Sequence, residues 1–338
     1  MMLVALAEAQ AAGSSLGAAC KLVGLSQRTV ERWRLDPDFG DKRQGPRHRP
    51  DNGLSPREQA QIMTVMRDRK YAGISPKQLV PMLADEGIYL ASESTMYRLQ
   101  RRFGLRAPVR RQTRSHVTRA TTMHMATGPN QVWSWDITYL PTPTNGRYFY
   151  LYLVLDVWSR RIVGWRVHHR ESHDLAAEMI QQICKAESIN PAGLVLHADN
   201  GTPMRGRSMI STLQWLGIVP SFSRPHVSDD NPYSEALFRT LKYTPAYPRG
   251  PFQNLDAARS WVTNFVHWYN GEHRHSGIRF VTPNQRHFGS EHAVLARRAR
   301  VYARAQKKNP ERWSTNLRNW EPIQSVVLNP ERQPVAAA

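Results

Sequence analysis

The sequence predicts an α/β protein, in which a mixed β-sheet with helices on its faces follows two all-α helix-turn-helix units. The first observation is a run of three strand-like segments, rich in β-branched and aromatic residues, between Gln131 and Glu171. The second is the alternation of helices and strands that follows, which completes the order βββαβαβα. The third is the helical periodicity of the residues before Leu105.

The chain is long enough and apolar enough for two or three folded domains, with 338 residues and 41% hydrophobic content. Its net charge of +19 indicates a polyanionic partner, most simply nucleic acid, although a basic ribosomal or membrane-surface protein would show the same balance. Only Cys20 and Cys184 occur, so no disulfide framework is expected and a reducing cytoplasm fits. No signal peptide and no membrane span are predicted.

Residues 1–50 are predicted to form the first helix-turn-helix unit. Ala19, Val23, Leu25, Val30 and Trp33 have the spacing that packs two helices around a turn. Gly24 suits the turn and Ser26 suits the cap of the second helix. That second helix exposes side chains able to meet phosphates and base edges, and the candidate DNA contacts are Gln27, Arg28 and Arg32. The alternative is an ordinary small helical hairpin.

Residues 51–105 are predicted to form a second helix-turn-helix unit, although a plain helical bundle fits the pattern nearly as well. Ser75 and Ser92 each precede a helix, and Gly87 separates the two. The last helix carries Arg98 and Arg101 as candidate DNA contacts. Residues 106–128 form a basic linker, which is either solvated or follows a phosphate backbone through Arg110 and Arg111.

Residues 129–290 are predicted to form the α/β domain, and residues 291–338 a basic, helical C-terminal tail with a short strand in "SVVLNP". The predicted strands lie in "QVWSWDITYLP", "RYFYLYLVLDVWS", "RRIVGWRVHHRE", "GLVLHADNG" and "IVPSFS". The predicted helices lie in "SHDLAAEMIQQICKAE", "MRGRSMISTLQWLG", "NPYSEALFRTLKY" and "LDAARSWVTNFVHWYN".

Three carboxylates lie at positions where α/β folds carry chemistry. Asp136 lies within the first strand among aromatic residues, where an unpaired charge is costly and a bound cation would lower that cost. Asp199 ends the fourth strand, and Glu235 lies in the first turn of a later helix, with 35 residues between them. Singly, Asp199 could satisfy a turn and Glu235 could pair with Arg239. Together, they are the oxygen ligands that a pair of divalent cations requires in phosphodiester chemistry.

Five segments together resemble the integrase-like catalytic core of bacterial transposases, specifically the OrfB type of the insertion-sequence family three elements. They are "WSWDITYL", "VLDVWSRRIVGW", "LHADNGTPM", "SRPHVSDDNPYSEALFRTLKY" and "WYNGEHRHSGIRFVTPNQR". The resemblance covers roughly residues 128–289, and the helical N-terminal half is also similar to that family's layout. It implies a ribonuclease-H-like fold, in which Asp136, Asp199 and Glu235 bind two Mg²⁺ ions for which Mn²⁺ can substitute.

The resemblance also implies that Lys242 contacts the terminal DNA of the element. Arg239, between Glu235 and Lys242 on the same helix, is a further candidate DNA contact. Asn200 and Asn231 flank the predicted metal ligands and are expected to orient them. Arg274 and His275 match a family motif of Arg-Pro-His, whose proline is absent here, and are candidate DNA contacts. Two other residues, Asp156 and His197, are expected to be structural.

The predicted function is a DNA transposase that binds element ends, nicks the 3′ ends and joins them to new DNA in a Mg²⁺-dependent reaction. Its expected partners are the terminal inverted repeats, target DNA, at least one further copy of itself and an upstream OrfA protein, in the bacterial cytoplasm. Two alternatives remain: a non-catalytic DNA-binding protein, and a nuclease of the same fold that cuts without joining. If the domain division holds, removing the residues before Gly128 should abolish specificity and leave the catalytic core folded.

Overall fold

The structure is a computed structural model that describes residues 2–35, 50, 52–71, 73–104, 123–224, 230–313 and 316–330. The chain divides into two compact units, Met1–Gly53 and Leu54–Ala338. None of the helices in the described ranges is both long and apolar enough to cross a membrane.

The first unit is a bundle of three helices. They are α1 (Met2–Ala11), α2 (Leu16–Leu22) and α3 (Gln27–Leu35). The predicted pair is α2 and α3, and their turn contains Gly24 with a φ of +68°. The Ser26 hydroxyl accepts a hydrogen bond from the Thr29 N–H at the start of α3, as its capping position predicts. Val23, which is expected in the core, instead follows α2 and is 45% exposed.

The second unit begins with three more helices. They are α4 (Pro56–Arg67), α5 (Pro76–Asp85) and α6 (Glu93–Arg102). Ser55 and Glu58 form a reciprocal capping box at the start of α4. The predicted helix starts after Ser75 and Ser92 are confirmed, and Gly87 lies between them with a φ of +81°.

These helices share a hydrophobic core with the C-terminal part of the chain, which contains α12 (Pro283–His287) and α13 (Glu291–Lys308). The buried members from the two parts include Ile62, Leu79, Leu83, Met96, Ile278, Val281, Leu295, Tyr302 and Trp320. Residues 291–338 are expected to be a basic tail. Their described part instead packs as one layer of this core. The five-part domain division stays a prediction.

The central sheet has five strands in the order β4-β3-β2-β5-β6. They are β2 (Val132–Pro141), β3 (Tyr148–Asp156), β4 (Ile162–His168), β5 (Val195–Ala198) and β6 (Val219–Phe222). The first three form an antiparallel meander, and β5 and β6 run parallel to β2. This mixed order is that of the ribonuclease-H-like fold, so the predicted fold class is confirmed.

Helices cover both faces of the sheet. One face packs on α7 (His173–Ala186) and α9 (Arg207–Leu216), with the short α8 (Thr202–Arg205) beside them. The other face packs on α10 (Pro232–Tyr243) and α11 (Leu255–Gly271). The single helix predicted in "MRGRSMISTLQWLG" is instead divided at Gly206, where an added Cβ would lie 2.2 Å from the side chain of His173.

A second, two-stranded sheet pairs β1 (His124–Ala126) with β7 (Val326–Leu328) in antiparallel register. The strand in "SVVLNP" is confirmed as β7. The partner strand β1 lies in the stretch expected to be linker. The sequence does not predict this strand, because three residues are too few to show the alternation of a strand.

Candidate active site

Asp136 lies on the sheet face that α10 covers. Its neighbours Trp133 and Trp135 point to the opposite face, where they join the core beneath α7. The Asp136 carboxylate is half-buried and accepts a hydrogen bond of 2.7 Å from the Ile137 N–H. The strand pattern therefore places a carboxylate inside the sheet rather than at its outer edge.

Asp199 lies beside Asp136 on the neighbouring strand. Trp135 on β2 is in register with Ala198 on the parallel β5, so the residues that follow them, Asp136 and Asp199, are adjacent across strands about 4.8 Å apart. Leu196 and Ala198 face α7, which directs Asp199 to the α10 side as well. Asp199 Oδ1 accepts a hydrogen bond of 2.8 Å from the Ser223 hydroxyl at the end of β6.

Glu235 is positioned by the attachment of α10 to β2. Leu237, Phe238 and Leu241 bury one face of α10 against the sheet. At the start of the helix, the Ser234 and Ser134 hydroxyls lie 2.6 Å apart, so α10 is bonded to β2 two residues before Asp136. Glu235 follows Ser234 directly and is exposed in the first turn of α10.

Electrostatics indicate that these carboxylates act on one another. The pKa of Asp136 is raised to about 7, first by burial and then by the negative charge of Asp199, with a further contribution from Glu235. The Ile137 N–H and the Lys242 ammonium partly offset that rise in pKa. Three carboxylates and one cation therefore share a single electrostatic environment on this face of the sheet.

The donor set fits a divalent cation in its chemistry. Oxygen ligands from clustered carboxylates suit Mg²⁺ and Mn²⁺, and a bound cation would remove the repulsion that raises the pKa of Asp136. Asn200 Oδ1, next in sequence to Asp199, is buried with no hydrogen-bond partner.

As the side chains stand, no group of three His, Cys, Asp or Glu residues in the described ranges is arranged to hold a metal ion. Asp136 Oδ1 and Asp199 Oδ1 are instead occupied by hydrogen bonds within the protein.

The two asparagines predicted to orient the ligands occupy different surroundings. Asn200 donates a hydrogen bond through Nδ2 to the Ser223 carbonyl, which connects the residue after Asp199 to β6. Asn231 is completely buried, accepts a hydrogen bond of 2.5 Å from the Ser134 hydroxyl and donates one of 3.2 Å to the Trp135 carbonyl. Its side chain therefore binds β2 and does not cap α10, although Asn231 occupies the capping position.

Buried polar residues support the strand ends around the site. His197 donates from Nε2 to the Asp230 carbonyl at 3.0 Å, and its Nδ1 lies 2.9 Å from the Ser221 hydroxyl. Burial lowers the pKa of His197, so the ring is neutral. Asp230 forms two hydrogen bonds of 2.8 Å with the Arg224 guanidinium. His197 is thus a packed strand-end residue, as expected.

Asp156 is also structural. It is fully buried, accepts hydrogen bonds from the Ser159 N–H and hydroxyl, and accepts another from the Asn130 N–H.

Sequence reasoning missed Ser223 and Ser134, the hydroxyl residues that contact Asp199 and the start of α10. In the sequence these serines are recognisable only as residues within or just after a strand. Which residues they contact depends on the order of the strands in the sheet.

The predicted DNA contacts lie in several places. Arg239 and Lys242 are exposed on α10, at helical spacings of four and seven residues from Glu235. Arg98 and Arg101 are exposed on α6, and Gln27, Arg28 and Arg32 are exposed on α3 of the first unit. Arg110 and Arg111 lie outside the described residues.

Arg274 and His275 take part in contacts within the protein. Arg274 Nη2 lies 3.3 Å from Asp85 Oδ2, in an ion pair that connects the segment after α11 to α5. His275 Nδ1 accepts a hydrogen bond of 3.0 Å from the Gly277 N–H. Burial lowers the pKa of His275 to about 3, so at neutral pH this ring offers no positive charge to a phosphate.

Comparison with known proteins gives two family matches in this part of the chain. One family profile, described as integrase core domain, matches residues 126–228. A second profile of the same description matches residues 216–283.

Two curated relatives are similar to about half of the chain. A transposase for insertion sequence element IS904 of Lactococcus lactis is 33% identical over 47% of this chain and 61% of its own length. Transposase InsF for insertion sequence IS3A of Escherichia coli is 30% identical over 47% of this chain and 54% of its own length. The aligned region thus spans little more than half the length of these relatives.

Among solved structures, the catalytic core domain of BIV integrase aligns with 48% of this chain and 97% of that domain, at 22% identity and a TM-score of 0.36. The assignment of the fold rests on the order of the strands in the sheet and not on this alignment. The profile matches and the relatives confirm the resemblance indicated by the sequence motifs: residues 126–283 match the integrase core domain, and about half of the chain is similar to transposases of the insertion sequences IS904 and IS3A.

Proposed function

We propose that the chain is a DNA transposase of a bacterial insertion sequence, which nicks the 3′ ends of its element and joins them to target DNA. The observation that carries this proposal is the electrostatic coupling of Asp136 with Asp199 and Glu235 on one face of an integrase-like sheet. Two strands and one helix supply the three carboxylates, and two of the three are partly buried.

In this proposal the three carboxylates hold two Mg²⁺ ions, for which Mn²⁺ can substitute. The bound ions would supply charge neutralisation at the scissile phosphate and a lowered pKa for an attacking hydroxyl. Asp136 and Asp199 are held in place by adjacent strands, and Glu235 is held by the bonding of α10 to β2. Asn200 and Asn231 keep the strand end and the helix start fixed through their bonds to β6 and β2.

Two successive displacements at phosphorus describe the proposed reaction. In the first, water attacks the phosphodiester at the element end and loses a proton as its oxygen bonds to phosphorus, and the bond from phosphorus to the 3′-oxygen breaks. The departing 3′-oxygen takes up a proton and leaves a free 3′-hydroxyl. In the second, that hydroxyl attacks a phosphodiester of target DNA, loses its proton and displaces another 3′-oxygen. Lys242 and Arg239, exposed on the helix of Glu235, would bind the phosphates beside the reacting bond.

The DNA partners in this proposal are the terminal inverted repeats and the target. Gln27, Arg28 and Arg32 on α3 and Arg98 and Arg101 on α6 would bind the repeats. Joining two ends requires at least two protomers, and an upstream OrfA protein, separate or fused, completes the proposed assembly.

The decisive experiment incubates purified protein with labelled duplexes that carry candidate element ends, with Mg²⁺ or Mn²⁺, and separates nicked from joined products. The proposal predicts both products, and neither with Asp199→Asn. Binding without a metal-dependent product would instead support a non-catalytic DNA-binding protein. Cleavage without joining would support a nuclease. Activity that survives Asp199→Asn would refute the assignment of the carboxylates.

A further inference from the structure

The exposed face of α13 carries a row of cations. Arg297, Arg300, Arg304 and Lys307 follow one another at intervals of three or four residues, which places them on one side of the helix, and Lys308 adjoins the last of them. All five side chains are exposed. At a rise of 1.5 Å per residue the row is about 16 Å long. Duplex DNA presents about nine phosphate charges over the same length.

These cations have no neutralising partners in the part of the chain that the structure describes. None of the five forms an ion pair with a described carboxylate, although acidic side chains are close by. Those acidic side chains bind other cations: Asp85 binds Arg298, Glu58 binds Arg312, and Glu93 binds Arg318. The local acidic residues therefore stabilise the packed arginines and leave the charge of the outer row uncompensated.

Helix stability does not explain the row. Lys307 and Lys308 lie in the last turn, where cations complement the helix dipole. Arg297, Arg300 and Arg304 lie in the middle of α13, where like charges three and four residues apart repel each other. A bound polyanion would convert this repulsion into attraction.

The row is connected through a shared core to α6, which contains the predicted DNA contacts Arg98 and Arg101. On the opposite side of α13, Arg298 is fully buried and donates hydrogen bonds of 2.6 and 2.8 Å to the two Asp85 carboxylate oxygens at the end of α5. Leu295 and Tyr302 pack in the same core as Leu79 and Met96 of α5 and α6. A ligand bound along α13 is therefore held in a fixed relation to α5 and α6.

We propose that the exposed face of α13 is a binding surface for the phosphate backbone of duplex DNA, with Arg297, Arg300 and Arg304 as its principal contacts. This proposal rests on the proposed function, since it names a further surface for the same DNA. The segment after α12 then belongs to the DNA-binding apparatus together with α4–α6.

The test compares full-length protein with the variant Arg297→Gln/Arg300→Gln/Arg304→Gln. Glutamine is close to arginine in helix propensity, so the change removes charge with little effect on the helix. The matched control, Arg147→Gln/Arg166→Gln/Lys185→Gln, removes three exposed cations from the turn before β3, from β4 and from α7. Binding of a 40-base-pair duplex of arbitrary sequence is measured by fluorescence anisotropy over a range of salt concentrations.

The α13 variant should bind about tenfold or more weakly at roughly 0.1 M salt, with a logarithmic salt slope reduced by about 2 to 3. The control should change the slope by less than about 1, and the charge-preserving triple Arg→Lys variant should bind as wild type does. In wild-type protein, DNA should slow hydrogen exchange across residues 297–308, a readout that does not depend on the stability of any variant.

An unchanged slope in the glutamine variant, with no DNA protection of α13, would overturn this inference while leaving the proposed function intact. An equal loss in the lysine variant would also overturn it, because the residues would then act by packing and not by charge. If wild-type protein bound no duplex DNA, the proposed function itself would fail.

Discussion

Asp136 carries a negative charge that the metal-free fold disfavours. Burial and the charges of Asp199 and Glu235 raise its pKa to about 7, so in metal-free protein the ionised carboxylate is destabilising. Because the folded-state pKa lies above that of the unfolded chain, the folded state binds more protons. Its stability falls as the pH rises from about 4 to 7.

Replacing the charge should therefore stabilise the metal-free protein. We expect Asp136→Asn to raise the free energy of unfolding at pH 8 by on the order of 1 to 3 kcal/mol, and the difference should disappear near pH 4. Urea unfolding in the presence of a chelator measures both. Asp256→Asn, at an exposed first-turn carboxylate of α11, should change stability little at either pH. A variant no more stable than wild type at pH 8 would contradict the account of Asp136.

For single residues, the sequence predicts which carboxylates are candidate metal ligands, but it does not predict which side chains surround them. Asp136, Asp199 and Glu235 are recognisable from their local strings and from the interval between the last two. The hydrogen bond from Ser223 to Asp199 depends on β6 lying next to β5, which a single sequence does not reveal. Asn231 shows the same limit: its position predicts a helix cap, but a buried strand carbonyl competes for its side chain.

Among the elements, α10 is attached to the sheet at its first turn. Asn231 bonds to Ser134 and to the Trp135 carbonyl, so the same short segment fixes the start of the helix and the strand that carries Asp136. The position of Glu235 relative to Asp136 therefore depends on a buried amide.

Removing that amide should weaken both stability and catalysis. Asn231→Ala removes the amide that binds the Trp135 carbonyl and the Ser134 hydroxyl, and the hydroxyl keeps only its contact with Ser234. This loss should cost about 1 to 3 kcal/mol of unfolding free energy. Asn254→Ala, at the exposed cap of α11, should cost about 1 kcal/mol. Urea unfolding and the nicking assay are run on both variants. Nicking should fall at least tenfold only for Asn231→Ala, and an equal effect of the two on nicking would contradict a positioning role.

Elements with strong local signals are predictable, and elements defined by distant contacts are not. The serines that precede them and the apolar periodicity locate α5, α6 and α7 within a few residues. The division of α8 from α9 at Gly206 depends on close contact with His173, and β1 exists through pairing with β7 some 200 residues later. Neither contact is visible in local sequence.

In the whole molecule, the residues that match the integrase core domain are only part of the second unit. Ile278, Val281, Leu295, Tyr302 and Trp320 pack against the buried residues of α4–α6. The expectation that the chain could lose everything before Gly128 and stay folded conflicts with this shared core.

Two truncations separate these views. A chain that begins at Leu54 should unfold cooperatively with a Tm close to that of the second unit in full-length protein. A chain that begins at Gly128 should lose β1, the partner of β7, and expose the apolar surface left by α4–α6, so we expect a lower Tm and aggregation. Calorimetry and light scattering measure both outcomes. Equal Tm values for the two truncations would show that α4–α6 contribute nothing to the core.

Asp136, Asp199 and Glu235 are proposed to act as one metal-dependent site on DNA. The test is the rate of Mg²⁺-dependent 3′-end nicking for Asp136→Asn, Asp199→Asn and Glu235→Gln, beside the control variants Asp174→Asn and Asp256→Asn. The controls alter exposed first-turn carboxylates of α7 and α11. Each of the first three should lose at least about a hundredfold in rate and still bind DNA, because metal ligands are removed while the fold persists. Rates equal to those of the controls would contradict the account.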